Sequence, residues 1–362
     1  MPTAWDGVFA LKNMSQTLPL LIHRRQLLRT SSQAGATLLA AAAFPGLLLN
    51  PAHAQTAAAT SSGAAWPTKP IRLIVPFAPG GSSEIVARSA ANEIGKTLGQ
   101  SVFVDNKPGA SGNIAMQECA ASTDGHTVIL GHIGTLAVNP YIFDKLPFDT
   151  NRDFRPISLL AKVPSLYVVN TDVPAQNLKE FIALAKSKPG QLNYGSAGNG
   201  SAGHLAFEYL KMVSGIFVLH VPYRGTGPQL TDLLAGRLQA ASVGAPAILS
   251  QIRAGKLRCI ATGTKERLAQ LPDVPTVAES GFPGFEMTQW YGLNAPNSMA
   301  QSSIDKIADA CSKAMRNAQA TERLRGDTAL PVGDTPAEYA AFIKAEQGRW
   351  KEVVARAKIK PD

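Results

Sequence analysis

From Ile71 onward the chain alternates short apolar runs with stretches of helical periodicity, and few architectures can absorb that alternation. Residues 71–77, 102–105, 127–131, 165–170, 192–195, 217–221, 238–243 and 258–262 read as strands. Between them 84–98, 112–121, 178–186, 202–213, 228–235 and 247–254 carry apolar residues three and four apart and read as helices. Strand, helix and strand in succession form βαβ units, which imply parallel sheets covered by helices on both faces, so the expected fold class is α/β. Residues 302–318 and 336–357 read as helices with no strand between them, a C-terminal helical cover. The sheet pattern runs from Ile71 to about Leu160 and restarts near Leu192. Two lobes are therefore expected, the first from 66–165 and 293–362, the second from 166–292, with crossings at 164–171 and 289–296. Trp290 and Tyr291 fall at the return crossing and are expected as hinge packing, with ligand stacking as the alternative. Ligands of open α/β sheets bind beyond the C-terminal ends of the strands, so facing lobes would close over a cleft lined by strand-to-helix loops.

The first residues set the compartment. His23-Arg24-Arg25-Gln26-Leu27-Leu28-Arg29 is basic, 34–49 is uncharged and apolar apart from Thr37, and Ala52-His53-Ala54 is a small-x-small cleavage site. This is the pattern of a secretory signal peptide over 1–54, cut near Ala54. Gly35 and Pro45 interrupt the apolar stretch, which is shorter than the ~18 residues a membrane span requires. The Arg-Arg pair before Leu-Leu matches a twin-arginine signal, with unfolded export as the alternative, and Met14 would start a signal of ordinary length. Residues 55–65, rich in Ala, Ser and Thr, read as a disordered leader, and the mature protein is expected to be periplasmic.

Charge and cysteines exclude several classes. The formal charge of +9 falls to about +6 once the signal is removed, because Lys12, Arg24, Arg25 and Arg29 outnumber Asp6 there. The remaining cations alternate with apolar residues and form no basic run interleaved with aromatics, which argues against nucleic acid as a partner. Cys119, Cys259 and Cys311 are odd in number, far apart and each in an apolar stretch, so they read as buried thiols.

Three strand-to-helix junctions are rich in glycine and hydroxyl residues. They are Ala78-Pro79-Gly80-Gly81-Ser82-Ser83-Glu84, Gly131-His132-Ile133-Gly134-Thr135 and Gly195-Ser196-Ala197-Gly198-Asn199-Gly200-Ser201. Glycine lets backbone approach a ligand closely, and a helix start presents free N–H groups and the positive end of its dipole to an anion. His204, in the first turn after the third loop, has an imidazole able to bond a ligand oxygen or to cap the helix. Tyr223, after Pro222, has a hydroxyl for the cleft or a ring to wedge between lobes.

Competing motifs fail on inspection. Gly198-Asn199-Gly200-Ser201-Ala202-Gly203 has dinucleotide-binding spacing, but the segment 219–224 contains no carboxylate to hold a ribose. Ser196 and Ser201 lack the glycine two residues earlier that a nucleophile elbow requires, no Walker loop is complete, and the histidines form no HExxH. No catalytic group, metal site or cofactor is expected.

In combination and order, several segments carry a resemblance. They are Pro70-Ile71-Arg72-Leu73-Ile74-Val75-Pro76-Phe77 with Pro79-Gly80-Gly81, Val104-Asp105-Asn106-Lys107-Pro108-Gly109-Ala110, 196–201, Val221-Pro222-Tyr223-Arg224-Gly225, 252–257 and Leu271-Pro272-Asp273-Val274-Pro275-Thr276. From about Trp66 to Lys360 the chain resembles the substrate-binding proteins of tripartite tricarboxylate transporters, the Bug or TctC-like family. The resemblance implies a two-lobed periplasmic binding fold of type II, a small carboxylate held in the cleft, and delivery to a two-component membrane permease. By position the family's binding loops fall on 78–83, 131–135, 196–201 and the neighbourhood of Val243 and Gly244. Two departures matter. Val243 stands where many relatives place an acidic residue, and His132 stands where a small hydroxyl residue is common. With no carboxylate to meet an ammonium group, the expected ligand is a mono- or dicarboxylate and not an α-amino acid. A monomer is expected. A sensor component with the same cleft and an exported hydrolase acting through Ser196 or Ser201 are the alternative readings.

Overall fold

The computed structural model describes residues 65–357, 359 and 360. The expected signal peptide, leader and cleavage site lie outside the described residues. In chain order the elements are β1 (Ile71–Val75), α1 (Ser82–Leu98), β2 (Val102–Asn106), α2 (Asn113–Ala120), β3 (Thr127–His132), α3 (Asn139–Ile142) and β4 (Phe154–Asn170). There follow α4 (Leu178–Ser187), β5 (Asn193–Ser196), α5 (Ala202–Ser214), β6 (Leu219–Pro222), α6 (Thr226–Leu234), β7 (Ala240–Gly244), α7 (Ala245–Arg253) and β8 (Leu257–Thr262). β9 (Thr288–Pro296), α8 (Gln301–Arg316), α9 (Ala318–Gly326), β10 (Leu330–Pro331) and α10 (Pro336–Ala357) complete the described chain. A π-helical turn, Ile133–Val138, joins β3 to α3.

Among the described residues one path of strands runs β2-β1-β3-β9-β4-β7-β5-β6, with β8 and β10 pairing to β4. The βαβ units pair as expected: β1 is parallel to β2 and β3, and β5 is parallel to β6 and β7. The expectation of wholly parallel sheets is corrected by β4 and β9, which pair antiparallel to each other and to their other neighbours. The reason is connectivity, since these two strands return the chain from one half to the other. β4 pairs with β9 over Phe154–Pro164 and with β7 and β8 over Ser165–Asn170, so a single strand belongs to both halves. All of β9 lies beside β3 and β4, which places Thr288–Gly292 in the first half of the sheet and not in the second lobe or its crossing. The short β10 interrupts what read as an all-helical C-terminus.

The crossings lie side by side. Gly263 N–H donates to the Ser165 carbonyl at 2.8 Å, and Met287 N–H donates to the Gly263 carbonyl at 2.6 Å. On the first half, Leu73, Val75, Leu130 and Leu293 meet Val86, Ala90 and Ile94 of α1 and Ile304 and Ile307 of α8. On the second, Leu166, Val168 and Ala241 meet Leu233 of α6 and Ile248 of α7. A larger cluster joins Ile74 and Ile129 to Tyr167, Tyr194, Phe207 and Trp350 of α10, so the core is continuous across both halves. Truncating any of the larger of these side chains to alanine is expected to destabilise by about 2–5 kcal/mol. The three cysteines are buried and unpaired.

Candidate functional site

Between the halves lies a cavity of about 30 Å³, lined from the first half by Phe77, Ser83, His132, Gln289 and Tyr291. The second half contributes Ala197, Ser201, Ala202, Gly203, Thr226, Gln229, Ser242, Val243 and Gly244. The halves approach each other closely around it. Ala78 N–H donates across the divide to the Arg224 carbonyl at 3.1 Å. A Cβ on Gly134 would strike the Gly200 carbonyl oxygen, so only glycine permits that approach, and one on Gly244 would displace Ser82 Oγ.

Four helices start at this cavity: α1 at Ser82, α5 at Ala202, α6 at Thr226 and α7 at Ala245. First-turn N–H groups have no acceptor within their own helix. Only α5 has a side-chain cap, Ser201 Oγ accepting from His204 N–H, while α1, α6 and α7 have none. The lining contains no Asp, Glu, Lys or Arg, so the field inside it is that of converging helix dipoles.

Polar side-chain atoms at the cavity lack partners in a way that a merely structural turn would not. Ser82 Oγ, His132 Nε2 and Ser242 Oγ are buried with no hydrogen bond. Native interiors rarely tolerate such atoms unless something else meets them. The His132 ring is packed against Phe77 with centroids 4.6 Å apart, and its Nδ1 accepts from Gly134 N–H at 2.9 Å. Its pKa is pushed down to about 3 by burial, so the ring is neutral and the proton sits on Nε2. Thr135 Oγ1 accepts from His132 N–H at 3.3 Å, which completes a capping box for the π-helical turn.

The sequence-based candidates divide into groups. His132, Ala197, Ser201, Val243 and Gly244 line the cavity. Ala78, Gly81 and Ser82 belong to the loop meeting the second half at Arg224, Thr226 and Gly244, whereas Pro79 and Gly80 are exposed. Gly131 is a buried position inside β3, Thr135 and Gly134 shape the turn, and Gly200 is the neighbour of Gly134. Asn199 is not in the lining, although its carboxamide oxygen is buried and unpartnered. Ser196 is fully buried outside the lining, its Oγ 2.7 Å from His220 Nε2 and bonded to Gly198, which offers no exposed nucleophile for the hydrolase alternative. His204 turns its Nδ1 to Gly200 N–H at 3.1 Å and stacks on His220 at 4.2 Å. It therefore holds the loop, and burial first, then His220 and Lys211, push its pKa down to about 3. Tyr223 donates its hydroxyl to Asp232 at 2.7 Å, away from the cavity.

Ser83 lines the cavity within the expected loop 78–83, and sequence reasoning missed Phe77, Ala202, Gly203, Thr226, Gln229, Ser242, Gln289 and Tyr291. Thr226 had a usable signal, a fourth glycine-hydroxyl junction, Gly225-Thr226-Gly227, opening α6. Tyr291, expected as hinge packing, faces the cavity and donates its hydroxyl to Gln289 at 2.9 Å.

Two half-sheets sharing a through-strand, closed over helix starts and unpartnered donors, define a solute-binding protein of the periplasmic type. The comparisons make the assignment specific. Residues 86–359 match the model of the tripartite tricarboxylate transporter family receptor, TctC, and the chain belongs to that family. Protein BugT of Bordetella pertussis is 34% identical, the match covering 84% of this chain and 94% of that one. A structure of an R. palustris protein with adipate is 34% identical with a TM-score of 0.79, covering 82% of this chain and all of that one. MatC from Rhodopseudomonas palustris with bound malate is 34% identical with a TM-score of 0.76, covering 80% and 100%. The family and these neighbours are binding proteins rather than enzymes.

Proposed function

We propose that the chain captures a small organic carboxylate outside the cytoplasmic membrane and releases it, chemically unchanged, to a two-component permease of the tripartite tricarboxylate type. The ligand is a mono- or dicarboxylate without an α-amino group. One observation carries this reading: helix starts from both halves meet at one cavity that no charged side chain lines, with His132 Nε2 and Ser242 Oγ unpartnered in its lining and Ser82 Oγ unpartnered beside it at Gly244. Relatives with adipate and with malate support the ligand class, and family membership supports the permease. Among the described residues no helix is long and apolar enough to cross a membrane. Export rests on the signal-like N-terminus. Ligand entry requires the two halves to open about the paired crossings at Ser165, Gly263 and Met287.

A thermal-shift panel of aliphatic and aromatic acids tests the reading. A ligand at a hundredfold its Kd is expected to stabilise the protein by about 2.7 kcal/mol. A flat panel would remove the carboxylate assignment. Recovery of the permease subunits by the ligand-loaded protein tests the delivery step, and equal recovery without ligand counts against it.

A further inference from the structure

The site has two ends, one beside the cavity at the contact of Ser82 with Gly244 and one in its lining at His132. At one, Ser82 of α1 abuts Gly244 at the start of α7, with an unpartnered hydroxyl between two uncapped helix starts. At the other, the His132 ring abuts Gly134, where an added Cβ would strike the Gly200 carbonyl ahead of α5. Each end presents a buried donor from the first half against backbone from the second. The ends differ in what they can accept. A hydroxyl donates or accepts, but a neutral imidazole whose Nδ1 is already occupied by Gly134 N–H has only a donor left, Nε2–H. The ring cannot swing to offer its other nitrogen, because Phe77 covers its face and the Gly134 and Thr135 bonds fix both ring and backbone.

Resting on the carboxylate reading above, we propose that His132 is the specificity-determining residue of the cleft, selecting a compact acid that carries a second oxygen acceptor and rejecting an ammonium group at that position. The ligand's carboxylate lies toward Ser83 and Gly244, next to Ser82, and its second oxygen receives Nε2–H. An ammonium group there would face the Nε2–H donor, in a cavity whose lining offers no carboxylate to neutralise it. A methyl group would leave Nε2–H as unpartnered as it is without ligand.

The test is calorimetric titration of the full mature chain and of H132D and H132F with succinate, butyrate and L-aspartate. Butyrate replaces one carboxylate of succinate by methyl, and aspartate adds an ammonium group. Asp at this N-cap can still accept Gly134 N–H, so H132D removes the donor and keeps the turn, whereas H132F removes both. The wild-type chain is expected to prefer succinate to each of the others by tenfold or more. Both variants are expected to lose most of the succinate-to-butyrate preference, and H132D to bind aspartate at least as well as succinate. Thermal melting of each variant identifies any that has not folded, and H132D then decides alone. If the wild-type chain binds these acids but both ratios survive in H132D, the role of His132 is overturned and the carboxylate cleft stands. If the wild-type chain binds none of them while other acids shift its melting, the choice of a compact two-ended acid is overturned. If no acid binds at all, the underlying reading falls with it.

Discussion

The two walls of the cavity do the same job with different chemistry. The second half presents mostly backbone, the starts of α5, α6 and α7 at Ala202, Thr226 and Ala245, with its Ser201 hydroxyl committed to capping and Ser242 Oγ unpartnered. The first half adds side-chain donors, Ser82 and His132, which nothing in the protein satisfies. Backbone amides survive most substitutions, so the second wall is a durable holder of any anion. The first wall can be rewritten one residue at a time, which makes it the place where ligand identity is decided.

The contrast can be attacked in order of expected effect. The largest concerns pH, because each wall keeps one buried neutral histidine. His132 and His204 both have pKa values pushed down to about 3, His132 by burial and His204 chiefly by burial with help from His220 and Lys211. Depressed values mean that the folded, closed protein binds these protons less readily than the unfolded chain, whose histidines titrate near ~6.5. Their contribution is complete above that value and is lost as pH falls through the window from 6.5 toward 3. Two such groups give a slope of about 2.7 kcal/mol per pH unit, measurable by denaturant unfolding at a series of pH values. H132Q and H204Q should each halve the slope, and an undiminished slope in either would show that its histidine is not the titrating group.

Next is steric. A Cβ on Gly227 would meet only the backbone of Pro79 across the divide, so Gly227→Val should leave each half intact and hold them apart. An overpacking penalty of about 1–3 kcal/mol predicts a roughly 10- to 100-fold loss of ligand affinity with little change in the melting of the free protein. Unchanged affinity would mean that ligand is held without closure.

Smaller effects separate donors from scaffolding. Ser82→Ala and Ser242→Ala each remove an unpartnered buried hydroxyl, so free-protein stability should change by less than about 0.5 kcal/mol while affinity falls about 3- to 10-fold. A marked stability loss without an affinity loss would reassign those hydroxyls to the fold. The least effect is expected from Tyr223→Phe, which gives up only the bond to Asp232 and should alter affinity less than about threefold.

The βαβ alternation was legible because a strand or helix start writes its signal locally. α5 begins at Ala202 and α4 at Leu178 as the sequence patterns indicate. β4 and β9 were only half legible. Arg155, Pro156, Ser158 and Lys162 break any apolar run in the first part of β4, and its strand character comes from partners more than a hundred residues away in β9. The site shows the same division. Glycine-rich junctions pointed to the loops, but whether a side chain meets the cavity or a neighbour depends on distant packing, as with Tyr223 turned to Asp232 and Tyr291 turned inward.

The place of β9 in the sheet has a consequence for biogenesis. This strand lies between β3 and β4, yet it follows the whole of the second half in the chain. During synthesis β3 and β4 emerge long before the segment that must join them. Until Thr288 and its successors arrive, each exposes an open edge toward the missing neighbour. A chain cut short anywhere before β9 is thus no smaller receptor but a split sheet, prone to self-association and to proteolysis.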